Sequence, residues 1–268
     1  NERPFCWPSP THDAKVRNGE FKIAEAFPLW ERDANRSGAS QPPRTIRDAI
    51  GDLLELDAGV PDHQVTGAWP KKYQAVFQAI GQGQKLCNVR HSPTSVYTWD
   101  VPDVFGAVTQ QERAVLETIA KHRRHKRYGD IPNGNPLPVA EILRLSGLAE
   151  VKFEIASLAA KGYLKALEGK YDLKGAMFCS GIFKRPRWNE PAPTVLTNFH
   201  NPRYFLHPLR DRPFSLRECA RLQSFPDTFQ FTAPASPLDL VAGYRLVGNA
   251  VAPMVSRHLA MAAAKFFA

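Results

Sequence analysis

The 268-residue sequence lacks any run of about 18 uninterrupted apolar residues, so no membrane-spanning helix is expected. Its opening, Asn1-Glu2-Arg3-Pro4, has none of the charged-then-apolar pattern of a secretory signal. Cysteine is scarce and scattered. The four stand at 6, 87, 179 and 219, with no Cys-x-x-Cys pair, which offers neither a zinc knuckle nor a compact disulfide framework. Free thiols in a reducing compartment are the expectation. His122 and His125 lie close together in His-Arg-Arg-His-Lys-Arg, but no Cys or carboxylate joins them at ligand spacing. That stretch reads as a solvated basic run, and no metal is expected. Gly81-Gln82-Gly83 lacks the preceding strand, third glycine and following helix of a dinucleotide loop, so it reads as a helix stop. The chain also lacks an initiator Met. Asn1 points to processing, trimming or excision from something longer.

What is present is enough for a core. Hydrophobic residues make up 43% and charged residues 23%, which argues against a disordered tail or a collagen-like fibre. The length fits one large domain or two ordinary ones. Thirty-five Lys and Arg against 26 Asp and Glu leave a net charge of +9, an excess that favours a polyanionic partner.

The first 45 residues, rich in Pro, Asn, Ser and charge, read as a surface-hugging connection. Thr45 then caps a helix start, with Asp48 at its positive end and Ala49, Ile50, Leu53 and Leu54 at helical spacing. A second helical pattern runs from about Lys72 to Ile80. Thr109-Gln110-Gln111-Glu112 is a capping box opening a helix with Val115, Leu116, Ile119 and Ala120 on one face. That helix ends in the basic run His122 to Arg127. A short helix from Pro138 to Leu145 stops near Gly147. A third, from about Glu150 to Lys161, repeats Val151, Ile155, Leu158 and Ala159, with Gly162 just past its end. Residues 163–167 and 170–173 alternate around Glu168-Gly169, which predicts a hairpin.

Three helices followed by a hairpin is the order of a winged helix-turn-helix, in which the third helix enters the major groove. On that reading Lys152, Glu154, Ser157 and Lys161 point outward, and Lys152, Lys161, Arg123 and Arg124 are the DNA-contacting candidates. A small helical insert that touches only solvent or protein remains the other reading.

Near the carboxy terminus, Ser215 and Glu218 form another capping box, opening a helix with Leu216, Ala220 and Leu222 that ends at Phe225-Pro226-Asp227. Gly248-Asn249 reads as a turn before an apolar helix presenting Val255, Leu259, Ala262 and Phe266 to a core. Such a turn would let backbone approach a nucleotide-like ligand.

Together, Arg-Pro-Phe-Ser-Leu-Arg-Glu-Cys-Ala-Arg-Leu-Gln-Ser-Phe-Pro-Asp (212–227) and Tyr-Arg-Leu-Val-Gly-Asn-Ala-Val-Ala-Pro (244–253) resemble the last two motifs of the DNA (cytosine-5) methyltransferases. Pro191 to Asn198 resembles the end of that family's target-recognition region. Pro8-Ser9-Pro10-Thr11-His12 and Thr45 to Ile50 resemble the connection entering it. The resemblance implies an α/β fold. Residues 1–70 would be a connection from a catalytic domain. Residues 71–200 would be a target-recognition domain with a winged-helix-like insert at 108–174. Residues 201–268 would be motifs returning to a Rossmann-like methyltransferase domain supplied elsewhere.

The family's catalytic cysteine lies in Pro-Cys, its ring-binding glutamate in Glu-Asn-Val, and its cofactor turn is Phe-x-Gly-x-Gly. None occurs here, nor does the Gln-Arg-Arg motif that normally precedes the recognition region; Cys6, Cys87, Cys179 and Cys219 all follow residues other than proline. No catalytic residue is therefore assigned, and Cys219 is expected to be buried. The resemblance implies that Asn249, Ala250 and Val251 close over S-adenosylmethionine bound mainly by a catalytic half. It makes Arg217, Glu218 and Arg221 braces, and puts Thr194 and Val195 at the DNA-facing edge. Ala252 stands where proline is common. The implied partners are duplex DNA and a catalytic half or subunit. The implied setting is bacterial restriction–modification, in the cytoplasm and on the nucleoid. An inactive DNA-binding or regulatory protein derived from the family stays open as the alternative.

Overall fold

A computed structural model describes residues 42–267 except 58, 66, 89–91, 133, 180 and 232–236, together with the backbone of two short strands near the amino terminus. Cys6 and the Pro8-to-His12 stretch lie outside the described residues. In chain order the elements are β1 (Lys15–Val16), β2 (Gly19–Glu20), α1 (Ile46–Ile50), α2 (Lys71–Ala79), β3 (Lys85–Leu86), β4 (Ser95–Val96), α3 (Pro102–Phe105) and α4 (Gln110–His122). They continue with β5 (Leu137–Pro138), α5 (Val139–Ser146), α6 (Lys152–Lys161), β6 (Leu164–Leu167), β7 (Lys170–Leu173), α7 (Leu216–Leu222), α8 (Leu240–Asn249) and α9 (Pro253–Phe267). The chain parts into two compact units. One draws on Asn1–Val65, Arg187–His200 and Phe214–Ala268, the other on Thr66–Pro186 and Asn201–Pro213.

The second unit holds two hydrophobic clusters. In the first, α2 turns Val76 and Phe77 inward with Ile80, Leu86, Phe183 and Leu206, and β3 pairs parallel with β4. Arg185 is buried here. Its guanidinium donates to the carbonyls of Ile80 (2.6 Å), Phe77 (2.7 Å), His207 (2.8 Å) and Arg210 (3.0 Å) and to the Asp211 carboxylate (2.6 Å). A buried cation is tolerable only with its donors satisfied, and here one side chain ties the end of α2 to the 207–211 loop.

The second cluster is the insert. Thr109 and Glu112 form the expected capping box at α4, whose Val115, Leu116 and Ile119 meet Ile142 of α5, Ile155 and Leu158 of α6, and Tyr163, Leu164 and Leu173. Each such burial contributes about 1.5–3 kcal/mol before entropy. Gly147 (φ 71°) and Gly162 (φ 91°) end α5 and α6 in the left-handed conformation. Strands β5, β7 and β6 lie side by side in that order, all antiparallel. The β6–β7 turn is Glu168-Gly169 as the alternation predicts, with φ positive at both residues (50° and 75°), the signature of a type I′ hairpin.

In the first unit, α1 carries a capping box between Thr45 and Asp48. Its leading amides donate to the Glu190 and Trp188 carbonyls, each at 3.0 Å, which ties the entering chain to residues 187–200. Helix α1 packs on α7, and α7 on α8. Ile46, Ile50, Phe199, Phe214, Leu216, Cys219 and Val247 are all buried. Cys219 is thus a core residue, as its place in the capped helix predicts. Helix α9 differs from the rest: none of its residues is buried.

Candidate functional site

The carboxy-terminal motifs fold within the first unit. At the head of α7 the Ser215 hydroxyl accepts the Glu218 amide (3.2 Å), while the Glu218 carboxylate accepts the Ser215 amide (2.8 Å). A partner unforeseen in the sequence joins them. His63 places Nε2 at 2.9 Å from the Glu55 carbonyl and Nδ1 at 2.8 Å from the Ser215 hydroxyl. A carbonyl only accepts, so Nε2 carries a proton, and Nδ1 shares a hydrogen bond with the Ser215 hydroxyl. Serine beside histidine is a nucleophile's arrangement, but both residues are sealed in the core. This pair locks a helix cap.

The two arginines of α7 brace their own unit. Arg217 pairs with Asp62 and donates to the carbonyls of Asp227 (3.1 Å) and Phe229 (3.1 Å), with Phe231 under its guanidinium. Arg221 grips both Asp227 carboxylate oxygens (2.8 and 2.7 Å) and reaches Asp52 beyond α1. These hydrogen bonds, those donated to Asp227 above all, raise the Arg221 pKa further. Helix α7 then ends with Ser224 at φ 62°, its amide bonded to Arg221 and that of Phe225 to Ala220. Serine occupies a position that favours glycine, and its hydroxyl accepts the Met254 amide (3.1 Å) at the start of α9.

Gly248-Asn249 corrects an expectation. The pair is the last turn of α8, and Gly248 does not have positive φ. The absence of a side chain serves packing: a Cβ at Gly248 would lie 2.6 Å from the Leu196 carbonyl carbon and the Thr197 Cα, and closer still to the Thr197 nitrogen. The helix end therefore rests on the backbone just after Thr194 and Val195. This brings together two candidate groups separated in sequence. Thr194 is exposed, Val195 is buried at 4% and Leu196 is exposed, the alternation of an extended segment. Only Thr194 of the expected pair presents its side chain to solvent. Asn249 is exposed, Ala250 caps α8 with its amide on the Val247 carbonyl (3.3 Å), and Val251 is largely exposed. In α9, Val255 is exposed and Leu259, Ala262 and Phe266 are half-buried, so the expected stripe meets no closed core among the described residues.

The insert sorts its basic residues into two kinds. Lys161 donates to both Glu112 oxygens (2.7 and 2.8 Å) and to the Ala107 carbonyl (2.8 Å), and the Ser157 hydroxyl donates to Glu112 as well (2.7 Å). Burial pushes the Glu112 pKa up, but the hydrogen bonds from Lys161 and Ser157 outweigh it, and the carboxyl sits below its ordinary value. Arg123 is likewise committed. It pairs with the buried Asp172 at 2.7 Å, across from α4 to β7. Ser157 and Lys161, expected to point outward, thus turn onto the α4 cap, while Lys152 and Arg124 are exposed. His122 and His125 stack with centroids 5.9 Å apart, and burial together with Lys121 lowers the His122 pKa. Among the described residues no group of His, Cys, Asp or Glu could hold a metal ion, and no helix is long and apolar enough to cross a membrane.

Three structural residues escaped the sequence reading: His63, Arg185 and Gly248. Nothing near His63 or Arg185 in sequence marks them as buried hubs. For Gly248 the signal was there, a glycine inside an apolar helical run, and it was read as a turn.

Residues 170–265 match the model of a family described as C-5 cytosine-specific DNA methylase. The type II methyltransferase M.HgiBI of Herpetosiphon aurantiacus is 32% identical across 63% of this chain and 42% of its own length. The DNA (cytosine-5)-methyltransferase CMT2 of Arabidopsis thaliana is 44% identical across 97% of this chain, the insert included, and 19% of its own. Type II methyltransferase M.AgeI of Thalassovita gelatinovora is 40% identical across 29% of this chain and 17% of its own. The chain thus spans less than half the length of these curated relatives. Over residues 170–265 it carries the pattern of the C-5 cytosine-specific DNA methylases, and its relatives are type II and cytosine-5 DNA methyltransferases.

Proposed function

We propose that this chain is the target-recognising, cofactor-site-completing portion of a DNA cytosine-5 methyltransferase, inactive without a catalytic half. The observation that carries the reading is α9. An apolar helix that closes the matched segment and runs two residues beyond it, with no buried residue, is a surface built to pack against something else. In the family fold that something is the Rossmann-like sheet. The edge that Gly248 assembles sets Thr194 beside duplex DNA, with Asn249, Ala250 and Val251 along S-adenosylmethionine. Ligand sites enclose most of their ligand, and three residues on an open edge form only one side of such a site. The fit is therefore to a shared pocket whose bulk, with the thiolate that attacks the cytosine ring, comes from the other half. When bound, the cofactor supplies the methyl group. This chain's own part is to orient DNA and to close the edge.

The element order helix, strand, helix, helix, strand, strand supports reading the insert as a winged helix that meets DNA, with Lys152 and Arg124 as surface cations. Arg123 and Lys161 then act through the fold they hold, as buttresses behind that surface. Type II relatives support a bacterial restriction–modification setting, in the cytoplasm and on the nucleoid. A cognate endonuclease gene beside this one tests that setting.

Purified chain should transfer no labelled methyl to duplex DNA by itself. Mixed with a polypeptide bearing Pro-Cys and Glu-Asn-Val motifs, it should restore transfer. Full activity of the chain alone, or a partner equally active without it, refutes the proposal.

A further inference from the structure

Helix α6 has an unusual solvent face. With about 100° between successive residues, Lys152, Ala156, Ala160 and Phe153 occupy one continuous arc, and these four are the exposed residues of the helix. Ile155 and Leu158 point the opposite way into the core, while Ser157 and Lys161 are held on Glu112. Glu154 sits a further step of about 100° beyond Phe153, outside the arc. Phe153 is 78% exposed. A solvent face ordinarily carries charge; this one carries a ring, two methyl groups and a single ammonium at one border.

The charge of the insert says what such a face fits. Four of its eight acidic groups are spent internally, Glu112 on Lys161, Asp172 on Arg123, Glu141 on Arg144 and Glu117 on Arg113, while Asp130, Glu150, Glu154 and Glu168 are in no ion pair among the described residues. Lys121, Arg124, Lys126, Lys152, Lys170 and Lys174 are exposed, and none of them is in an ion pair among the described residues. Six unpaired cations against four unpaired carboxylates leave the insert with a basic excess, and a slim apolar strip on a basic module is complementary to the floor of the DNA major groove between its phosphates. Alanine and phenylalanine there contact the C5-methyl of thymine.

We infer that Phe153, Ala156 and Ala160 of α6 are the sequence-reading surface for duplex DNA, and that the reading is apolar, directed at pyrimidine methyl groups. This rests on the winged-helix reading proposed above and gives it a particular face and chemistry. It replaces Glu154, Ser157 and Lys161 as base-contacting candidates.

The test is binding of the whole purified chain to a pool of short duplexes with a randomised centre, prepared once with thymine and once with uracil, which lacks the methyl. The wild type should enrich a sequence from the thymine pool and lose the enrichment in the uracil pool. Phe153→Ala and Ala156→Glu should each weaken binding to the enriched duplex about ten-fold or more, the cost of a mismatched position. Affinity of Phe153→Ala for a non-enriched duplex, and its salt dependence, should stay unchanged because no phosphate contact is removed. Truncating so exposed a ring leaves the core intact, so its melting temperature should match the wild type. Enrichment retained by both variants, or indifferent to uracil, overturns the inference while leaving the winged-helix reading standing. Absence of any salt-dependent DNA binding by the wild type overturns both. Variants that bind DNA normally but no longer restore methyl transfer with a catalytic half would show a protein interface, and would also overturn it.

Discussion

Replacing Gly248 by alanine separates two explanations of one glycine. By helix propensity alone, alanine inside α8 should stabilise by about 1 kcal/mol. The structure predicts the opposite sign. The new Cβ would stand 2.6 Å from the Leu196 carbonyl carbon and the Thr197 Cα, both main chain, and no rotamer change relieves a clash with main chain. Helix and segment must separate by most of an ångström, at an overpacking cost of about 1–3 kcal/mol. Net of the propensity gain, Gly248→Ala should destabilise by about 1 kcal/mol. Gly243→Ala is the matched comparison, because the atoms nearest its Cβ belong to the Leu216 side chain rather than to main chain. Urea denaturation followed by circular dichroism should rank Gly248→Ala below Gly243→Ala. Gly248→Asn sharpens the result: a left-handed turn tolerates asparagine, whereas close packing makes it worse than alanine. A stabilised Gly248→Ala, or an asparagine variant more stable than the alanine one, would refute the packing account.

Two further outcomes test the insert. Glu168 is a non-glycine residue at φ 50° in the β6–β7 turn, so Glu168→Asn, better suited to a type I′ turn, should raise stability by about 0.5–1 kcal/mol in thermal unfolding. The Glu112 carboxyl sits below its ordinary value of 4.5 when folded, through the Lys161 and Ser157 hydrogen bonds. Its contribution is therefore fully present above that pH and lost as pH falls through the depressed folded value. Acid titration of tryptophan fluorescence should show the insert loosening below about pH 4.5, and Glu112→Gln should remove that part of the pH dependence while costing about 1–3 kcal/mol at neutral pH.

How much of this was written in the chain follows from the range of the interactions. The N-cap at Thr45, the capping boxes at Thr109 and Ser215 and the Glu168-Gly169 hairpin involve residues within three or so of one another, and all form as the sequence predicts. Local chemistry fixes them before tertiary structure intervenes. The rotation of α6 was not legible. Its pattern places Ile155 and Leu158 inside, yet whether Lys161 points out or in depends on Glu112, 49 residues away, having an oxygen to spare after capping α4. The same holds for Arg185, whose partners at 77, 80, 207, 210 and 211 no local pattern links.

The candidate site divides along the same line. Its motifs were readable because they are contiguous runs, and the residue that assembles them was misread because its reason is distant. A glycine states only that something is close, either its own chain curling at positive φ or another segment pressing in. The first reason is local and suggests a turn and a ligand; the second needs the three-dimensional neighbour. Gly248 is of the second kind. It makes the Thr194 edge and the Asn249 edge a single surface, so DNA positioning and closure over the cofactor share one mechanical part in the proposed enzyme. A perturbation at Gly248 should then disturb both functions of a reconstituted methyltransferase together, raising KM for DNA and for S-adenosylmethionine, whereas Thr194→Ala should raise the first alone. If Gly248→Ala shifts only one of the two constants, the shared edge is not the coupling element and the two segments act independently.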